Sequence, residues 1–273
     1  MLITQKTRVA LRCVEKFIEI CPNLQNDVIW IEPSVGGGSF VRALQKTIGQ
    51  DVSVITIDTN PDTVAMYHTN FLHWETPNKG NIKCVGNPPF GKNSSIAIQF
   101  VNHSAKFASL IGFILPNSFN KPSIIKRIDR HLHIIYSQIL DGECFTFDNK
   151  SVSVPCSFYV FEKRDVLRLD PEPLPTKSFL VSFLSDAEGA TFMVQRVGQR
   201  AGRVFWDTKE MEQRGISKNF YFVKIKDVTE EQRHILKDIS MEVAKERLNT
   251  SGMPSLSKGE VVKFIHDTLK IKI

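Results

Sequence analysis

The chain has 273 residues, 42% of them hydrophobic, enough to bury the core of one large domain or of a domain with a sizeable appendage. It contains no run of about 18 apolar residues, which excludes a transmembrane helix. Its formal net charge of +6 fits a polyanionic partner such as nucleic acid without requiring one.

The first residues, Met1-Leu2-Ile3-Thr4-Gln5-Lys6-Thr7-Arg8, lack the long apolar core of a signal peptide, so a cytoplasmic or nuclear location is expected. Five scattered cysteines (Cys13, Cys21, Cys84, Cys144, Cys156) form no C-x-x-C pair. They read as reduced structural thiols, with neither a disulfide framework nor a zinc site. His131-x-His133 reads as a surface pair on a strand with no third ligand nearby, and no metal is expected.

In chain order, residues 4–20 carry Val9, Leu11, Val14, Phe17 and Ile18 near helical spacing. Thr4 or Thr7 stands near the start of that helix, where a hydroxyl can cap it, and Pro22-Asn23 ends it. Asp27–Ile31 reads as a buried strand running into Glu32-Pro33-Ser34-Val35-Gly36-Gly37-Gly38-Ser39-Phe40, with a helix to about Ile48. Strand, glycine-rich turn and helix is the context of a nucleotide-type loop, in which backbone approaches the ligand and amides donate to it. No Gly-Lys-Ser/Thr is present, so phosphate is not specifically indicated. The bland alternative is a flexible turn. Val52–Ile57 reads as a second strand ending in Asp58, a carboxylate placed to accept from ribose hydroxyls. Asp58-Thr59-Asn60-Pro61 also reads as a helix start.

Ile82–Gly86 reads as a strand ending in Asn87-Pro88-Pro89-Phe90, followed by a helix from Ile96 to Phe107. Two prolines fix two φ angles and remove two donors. The Asn87 amide and the Pro88 carbonyl then face one space, with the Phe90 ring beside them. Two acceptors and a flat apolar face suit a planar ring carrying an exocyclic amine. The same residues also read as a common Pro-Pro turn with a Phe plugging the core. Ser109–Leu115 is another buried strand, residues 121–130 a short helix with Lys121, Lys126, Arg127 and Arg130, and His131–Leu140 and Val152–Phe161 two further strands. Strands alternating with helices imply a mostly parallel sheet. Leu169–Pro175 reads as a proline-rich linker, residues 178–225 as a small β-rich unit with Arg196, Arg200 and Arg203, and residues 229–247 and 257–270 as two helices around a break at 251–254.

Glu32-Pro33-x-x-Gly36-x-Gly38-x-Phe40, Asp58 and Asn87-Pro88-Pro89-Phe90, in this order, resemble the class I S-adenosylmethionine-dependent methyltransferases. The likeness is to the amino-methyltransferases acting on adenine, in their gamma arrangement, and it covers roughly residues 1–163. It implies an α/β fold: a Rossmann-like class I methyltransferase sheet over residues 1–165, with a small β-rich and helical C-terminal appendage over 166–273 as a possible substrate-binding extension. It implies S-adenosylmethionine as cofactor and DNA or RNA as substrate. Glu32, Pro33, Gly36, Gly38 and Phe40 would line the cofactor site and Asp58 would hold the ribose. Thr7 or Thr4 would help with the cofactor carboxylate. Asn70 takes the place of the family's acidic residue at the cofactor's adenine amine. Asn87, Pro88, Pro89 and Phe90 would form the catalytic loop, with Asn87 also on the cofactor. Phe147, or else Phe145, would stack with Phe90 on an extruded base. Protein-glutamine methyltransferases share such a loop and are the first alternative. A non-catalytic nucleic-acid-binding subunit of the same fold is the second.

Overall fold

The computed structural model describes residues 4–5, 7–21, 28–78, 80–140, 145–147, 150–152, 154–198, 200–214, 218–238 and 255–272. For 4–5, 145–147, 150–152, 208, 214 and 238 it describes the backbone alone. The chain divides into two compact units, Met1–Pro171 and Glu172–Ile273.

The first unit runs β1 (Thr4–Gln5), α1 (Thr7–Ile20), β2 (Val28–Glu32), α2 (Ser39–Thr47), β3 (Val54–Asp58), β4 (Tyr67–His68), β5 (Asn81–Gly86), α3 (Ser95–Ser104) and β6 (Leu110–Pro116). Then follow α4 (Pro122–Ile125), β7 (Leu132–Leu140), β8 (Phe145–Phe147), β9 (Lys150–Val152) and β10 (Cys156–Lys163). Seven strands form one sheet in the order β4-β3-β2-β5-β6-β10-β7. All neighbours pair in parallel except β10, which runs antiparallel to both β6 and β7. This is the Rossmann-like α/β sheet expected, the dinucleotide order 3-2-1-4-5-6 with one reversed strand inserted before the last.

Period-two alternation explains its two buried faces. Trp30, Val85, Ile114, Phe158 and Val160 pack toward α1 and α2 with Phe17, Phe40 and Leu44. Ile31, Cys84, Phe113, Leu115, Tyr159 and Phe161 pack the other way with Ile98, Phe100 and Val101 of α3. Gly112 lets α1 lie close on β6, since a Cβ there would stand 2.4 Å from Phe17 Cδ2.

Four local expectations differ from the structure. Thr4 and Gln5 are a strand, not helix: they pair with Thr146 and Phe145 in a three-stranded sheet, and α1 starts at Thr7. The strand expected over 152–161 starts at Cys156, while Lys150–Val152 pairs with β8 outside the main sheet. No helix follows Asp58. The donors of Met66 and Thr69 bond to Thr56 and Asp58 carbonyls at 2.9 Å each, so the segment returns as the edge strand β4. The helix expected over 121–130 is one turn only. Arg168 Nη2 takes the Ile125 and Ile128 carbonyls at 3.0 and 3.1 Å, acceptors a longer helix would need. That anchor also holds residues 164–171 with the first unit, so the chain divides at 171 rather than at 165. His131 and His133 bond separately, to Asp129 and to the Val166 carbonyl.

The second unit has a four-stranded antiparallel sheet in the order β11 (Val181–Leu184), β14 (Phe220–Ile225), β12 (Phe192–Gln195), β13 (Val204–Phe205). Among the described residues it also has helices α5 (Thr208–Arg214), α6 (Glu230–Asp238) and α7 (Lys258–Leu269), and Leu236, Val261, Val262 and Ile265 share a core with Val181, Val194 and Val223. Ser257 and Glu260 cap α7 reciprocally. Residues 239–247 of the expected helix and the expected break at 251–254 lie outside the described residues. Among the described residues no helix is long and apolar enough to cross a membrane.

Candidate active site

The strand order reverses direction at β2: β3 lies on one side and β5 on the other. The crevice beyond the carboxyl ends of the strands at such a point is where open α/β sheets bind ligands. The loops after β2 and β5 flank it, and a cavity of ≈ 820 Å³ opens there. That is within the range of roughly 300–1,000 Å³ usual for small-molecule sites.

One wall is the loop after β2. Gly36 and Gly38 have φ of +46° and +70°, which a side chain disfavours, and Gly38 starts α2. Glu32 ends β2 and is 2% exposed. Burial pushes its carboxyl well above the usual carboxylate range. The Val41 amide and the Arg42 charge pull it back, and Asp58 pushes it up again. Its Oε2 is buried and has no partner.

Asp58 braces this loop. Its Oδ2 accepts from the Gly36 N–H at 2.8 Å and its Oδ1 from the Asn60 N–H at 2.9 Å. A carboxylate has about four lone-pair sites, so it can still accept from two hydroxyls. Asn70 caps the 3₁₀ turn Phe71–His73, its Oδ1 accepting from the Leu72 N–H at 3.0 Å.

The opposite wall is the loop after β5. Pro88 is buried, and Phe90 packs against both core clusters. The Asn87 carbonyl accepts from Ser34 Oγ at 3.0 Å, which ties the two loops together. The Asn87 Oδ1 is buried with no partner. An unpaired buried amide oxygen costs about 1–3 kcal/mol, so its retention points to a ligand. Gly91 turns the chain out of the loop at φ +69°, and the Phe90 carbonyl accepts the Ala97 N–H at 3.2 Å.

Glu32, Pro33, Gly36, Phe40, Asp58, Asn70, Asn87, Pro88, Pro89 and Phe90 all line this cavity. Thr7 and Gly38 do not line it. Thr7 is exposed, its Oγ1 3.5 Å from Arg42 Nη2, and Arg42 Nη1 donates to the Gly37 carbonyl at 2.7 Å. The side chains of Thr4, Phe145 and Phe147 lie outside the described residues, but the Phe147 strand is held against β1.

Sequence reasoning assigned no role to Ser34, Ile96, Gln99, Phe100 or Val154, which line the cavity too. The i, i+3, i+4 spacing of Ile96, Gln99 and Phe100 was the available signal, since it puts them on one face of a helix. Val154 had none: it arrives from the segment before β10. Among the described residues no group of three or more His, Cys, Asp or Glu side chains could hold a metal.

No protein-family model matches this sequence, and no curated protein matches it. Solved structures are similar in fold at low identity. A protein from Listeria monocytogenes assigned to the class I S-adenosylmethionine-dependent methyltransferases is 14% identical, with TM-score 0.44, over 61% of this chain and 62% of that one. TrmN from Thermus thermophilus is 11% identical, with TM-score 0.39, over 57% and 48%. The 23S rRNA methyltransferase ErmE is 14% identical, with TM-score 0.43, over 62% and 72%. This chain therefore spans less than two thirds of the length of the first two. The fold assignment rests on the strand order itself.

Proposed function

We propose that this protein transfers a methyl group from S-adenosylmethionine to the exocyclic N6 amine of adenine in DNA or RNA. The observation that carries the reading is the Asn87 amide oxygen, buried and unpartnered on a proline-fixed loop. It shares one cavity with the glycine loop and Asp58. The residues fit the cofactor. Glu32 offers an orphaned acceptor, Gly36 a side-chain-free approach, and Asp58 spare lone pairs for ribose hydroxyls. S-adenosylmethionine supplies, when bound, a methyl already activated on a sulfonium, so the protein needs alignment more than acid–base power.

Each residue then has a task. Ser34 holds the Asn87 carbonyl, so the acceptors left for the two amine hydrogens are Asn87 Oδ1 and the Pro88 carbonyl. Both hydrogens so engaged favour a pyramidal nitrogen with its lone pair directed at the methyl. With a methyl supplied by the bound cofactor, the amine nitrogen would form the new bond, the electron pair of the broken S–C bond would stay on sulfur, and the amine proton would leave to solvent. Phe90 holds the ring plane. The amine is inaccessible within a duplex, so the base enters flipped or single-stranded, and Phe147 is the proposed stacking partner on it. Arg196, Arg200 and Arg203 of the second unit are the proposed phosphate contacts, with Arg196 and Arg203 steadied over the Tyr221 and Phe205 rings at 5.1 and 4.9 Å.

The test is transfer of labelled methyl onto unmodified DNA and RNA, with digestion and nucleoside analysis. Labelled methyladenosine supports the reading and its sugar names the substrate. Cofactor binding without labelled nucleic acid overturns it in favour of a protein-glutamine acceptor or a non-catalytic subunit.

A further inference from the structure

We propose that Glu32 is a proton-linked selector of ligand charge: its carboxyl holds a proton until a cation stands against Oε2, and then releases it. The proposal rests on the methyl-transfer reading.

The geometry comes first. Glu32 is 2% exposed, on the wall of the cavity, and Oε2 has no donor. The neighbouring elements do not neutralise it. From α2 come the Val41 amide, a single donor, and Arg42. The Arg42 guanidinium is spent elsewhere, on the Gly37 carbonyl at 2.7 Å, Ser39 Oγ at 3.4 Å and Thr7 Oγ1 at 3.5 Å. From β3 comes Asp58, a second carboxylate that disfavours another negative charge nearby. From β5 comes only Gly86 backbone, where a Cβ would stand 3.6 Å from Glu32 Cγ. A buried carboxylate without a paired cation is costly and keeps its proton instead. The upward displacement of its pKa agrees with this.

The consequence is discrimination by charge. The cofactor bears a sulfonium beside its ammonium and carboxylate, for a net charge of +1. The product left after transfer has a neutral thioether and no net charge. A cation against Oε2 favours the ionised carboxyl, so binding the cofactor expels the proton and binding the product expels less of it. The site therefore holds its substrate more tightly than its spent product, and the difference shrinks as pH falls toward the pKa of Glu32 in the cofactor complex, because there the carboxyl keeps its proton with either ligand bound.

The experiment is titration calorimetry on the full chain at pH 7 in phosphate and in Tris, buffers of different ionisation heat. The probes are S-adenosylmethionine, S-adenosylhomocysteine and an analogue with a protonated amine in place of the sulfonium. The expected result is release of a sizeable fraction of one proton with the two cationic ligands and less with the neutral one. In Glu32→Gln the release disappears. The affinity ratio of cofactor to product falls roughly tenfold, the worth of one charge-assisted contact. Equal heats in both buffers for wild-type protein overturn the proposal while leaving the methyl-transfer reading standing, and need no variant. Release that persists in Glu32→Gln assigns the proton elsewhere and also overturns it. If none of the three ligands binds, the underlying reading falls and the proposal with it.

Discussion

Replacing Gly91 by alanine tests how the Asn87–Phe90 loop is held. Gly91 follows Phe90 at φ +69° and ψ 175°, a region essentially reserved for glycine, where an L side chain costs about 1–3 kcal/mol. Its Cβ would stand 2.6 Å from Ile96 Cγ1 and 3.0 Å from Ile96 Cβ and Cδ1, contacts too short to keep. Overpacking of that kind costs about 1–3 kcal/mol. Alanine returns about 0.4–1 kcal/mol by narrowing the unfolded ensemble. The net expectation is a loss of about 1–6 kcal/mol, a large share of a total stability near 5–15 kcal/mol. The three nearest atoms all belong to Ile96, so the cycle of Gly91→Ala, Ile96→Ala and the double variant separates the two costs. Urea unfolding should show the double variant recovering the overpacking part while the backbone part remains. A Gly91→Ala protein within about 0.5 kcal/mol of wild type refutes the strain argument. Zero coupling with Ile96 refutes the contact. In the transfer assay the same variant should lose rate with little change in cofactor affinity, because Gly91 follows the Asn87–Phe90 loop and not the glycine loop.

Asn87→Ala should lower transfer about 100-fold or more while leaving cofactor affinity within a few-fold. It should not lower Tm, because the amide oxygen has no partner to lose; equal loss of binding and transfer would make the residue structural. Ser34→Ala removes the 3.0 Å bond to the Asn87 carbonyl and should cost about 0.5–1.5 kcal/mol in alignment, read as lower kcat at unchanged cofactor Kd. Gly112→Ala places a methyl 2.4 Å from Phe17 and 3.0 Å from Phe158 and should cost at least about 1–3 kcal/mol in urea unfolding. Glu32→Gln tests burial through pH. The folded-state pKa of Glu32 is raised, so its contribution to stability is complete below the unfolded value of about 4.3 and is lost as pH rises through the folded value. Glutamine does not titrate, so the Tm of the variant should gain on wild type between pH 5 and pH 8, on the order of a few degrees. A constant difference across that span would contradict the burial of an unpaired carboxyl.

The strand, glycine turn and helix over 28–47 were legible because each part is a local pattern. A short apolar run, glycines at positions of positive φ, and a helical repeat of buried Phe40, Ala43 and Leu44 need only neighbouring residues to be recognised. The Asn87–Phe90 loop was legible for the same reason, since two prolines restrict the backbone wherever they stand. The helix start read into Asp58–Pro61 failed because the carboxylate serves the Gly36 amide and the Asn60 amide instead.

By itself, then, the sequence determined the main strands and helices of the first unit, which two loops carry unusual residues, and that the sheet is mostly parallel. Only the tertiary structure decided that β10 enters reversed between β6 and β7, and that Thr4 and Gln5 leave the first helix to pair with β8. It alone joined Ser34 to a carbonyl 53 residues away and brought Ile96, Gln99, Phe100 and Val154 to the cavity wall. The division follows from range. Backbone φ preferences and hydrophobic periodicity act within a few residues, whereas these pairings cost loop-closure entropy and form only once the whole sheet buries its two faces.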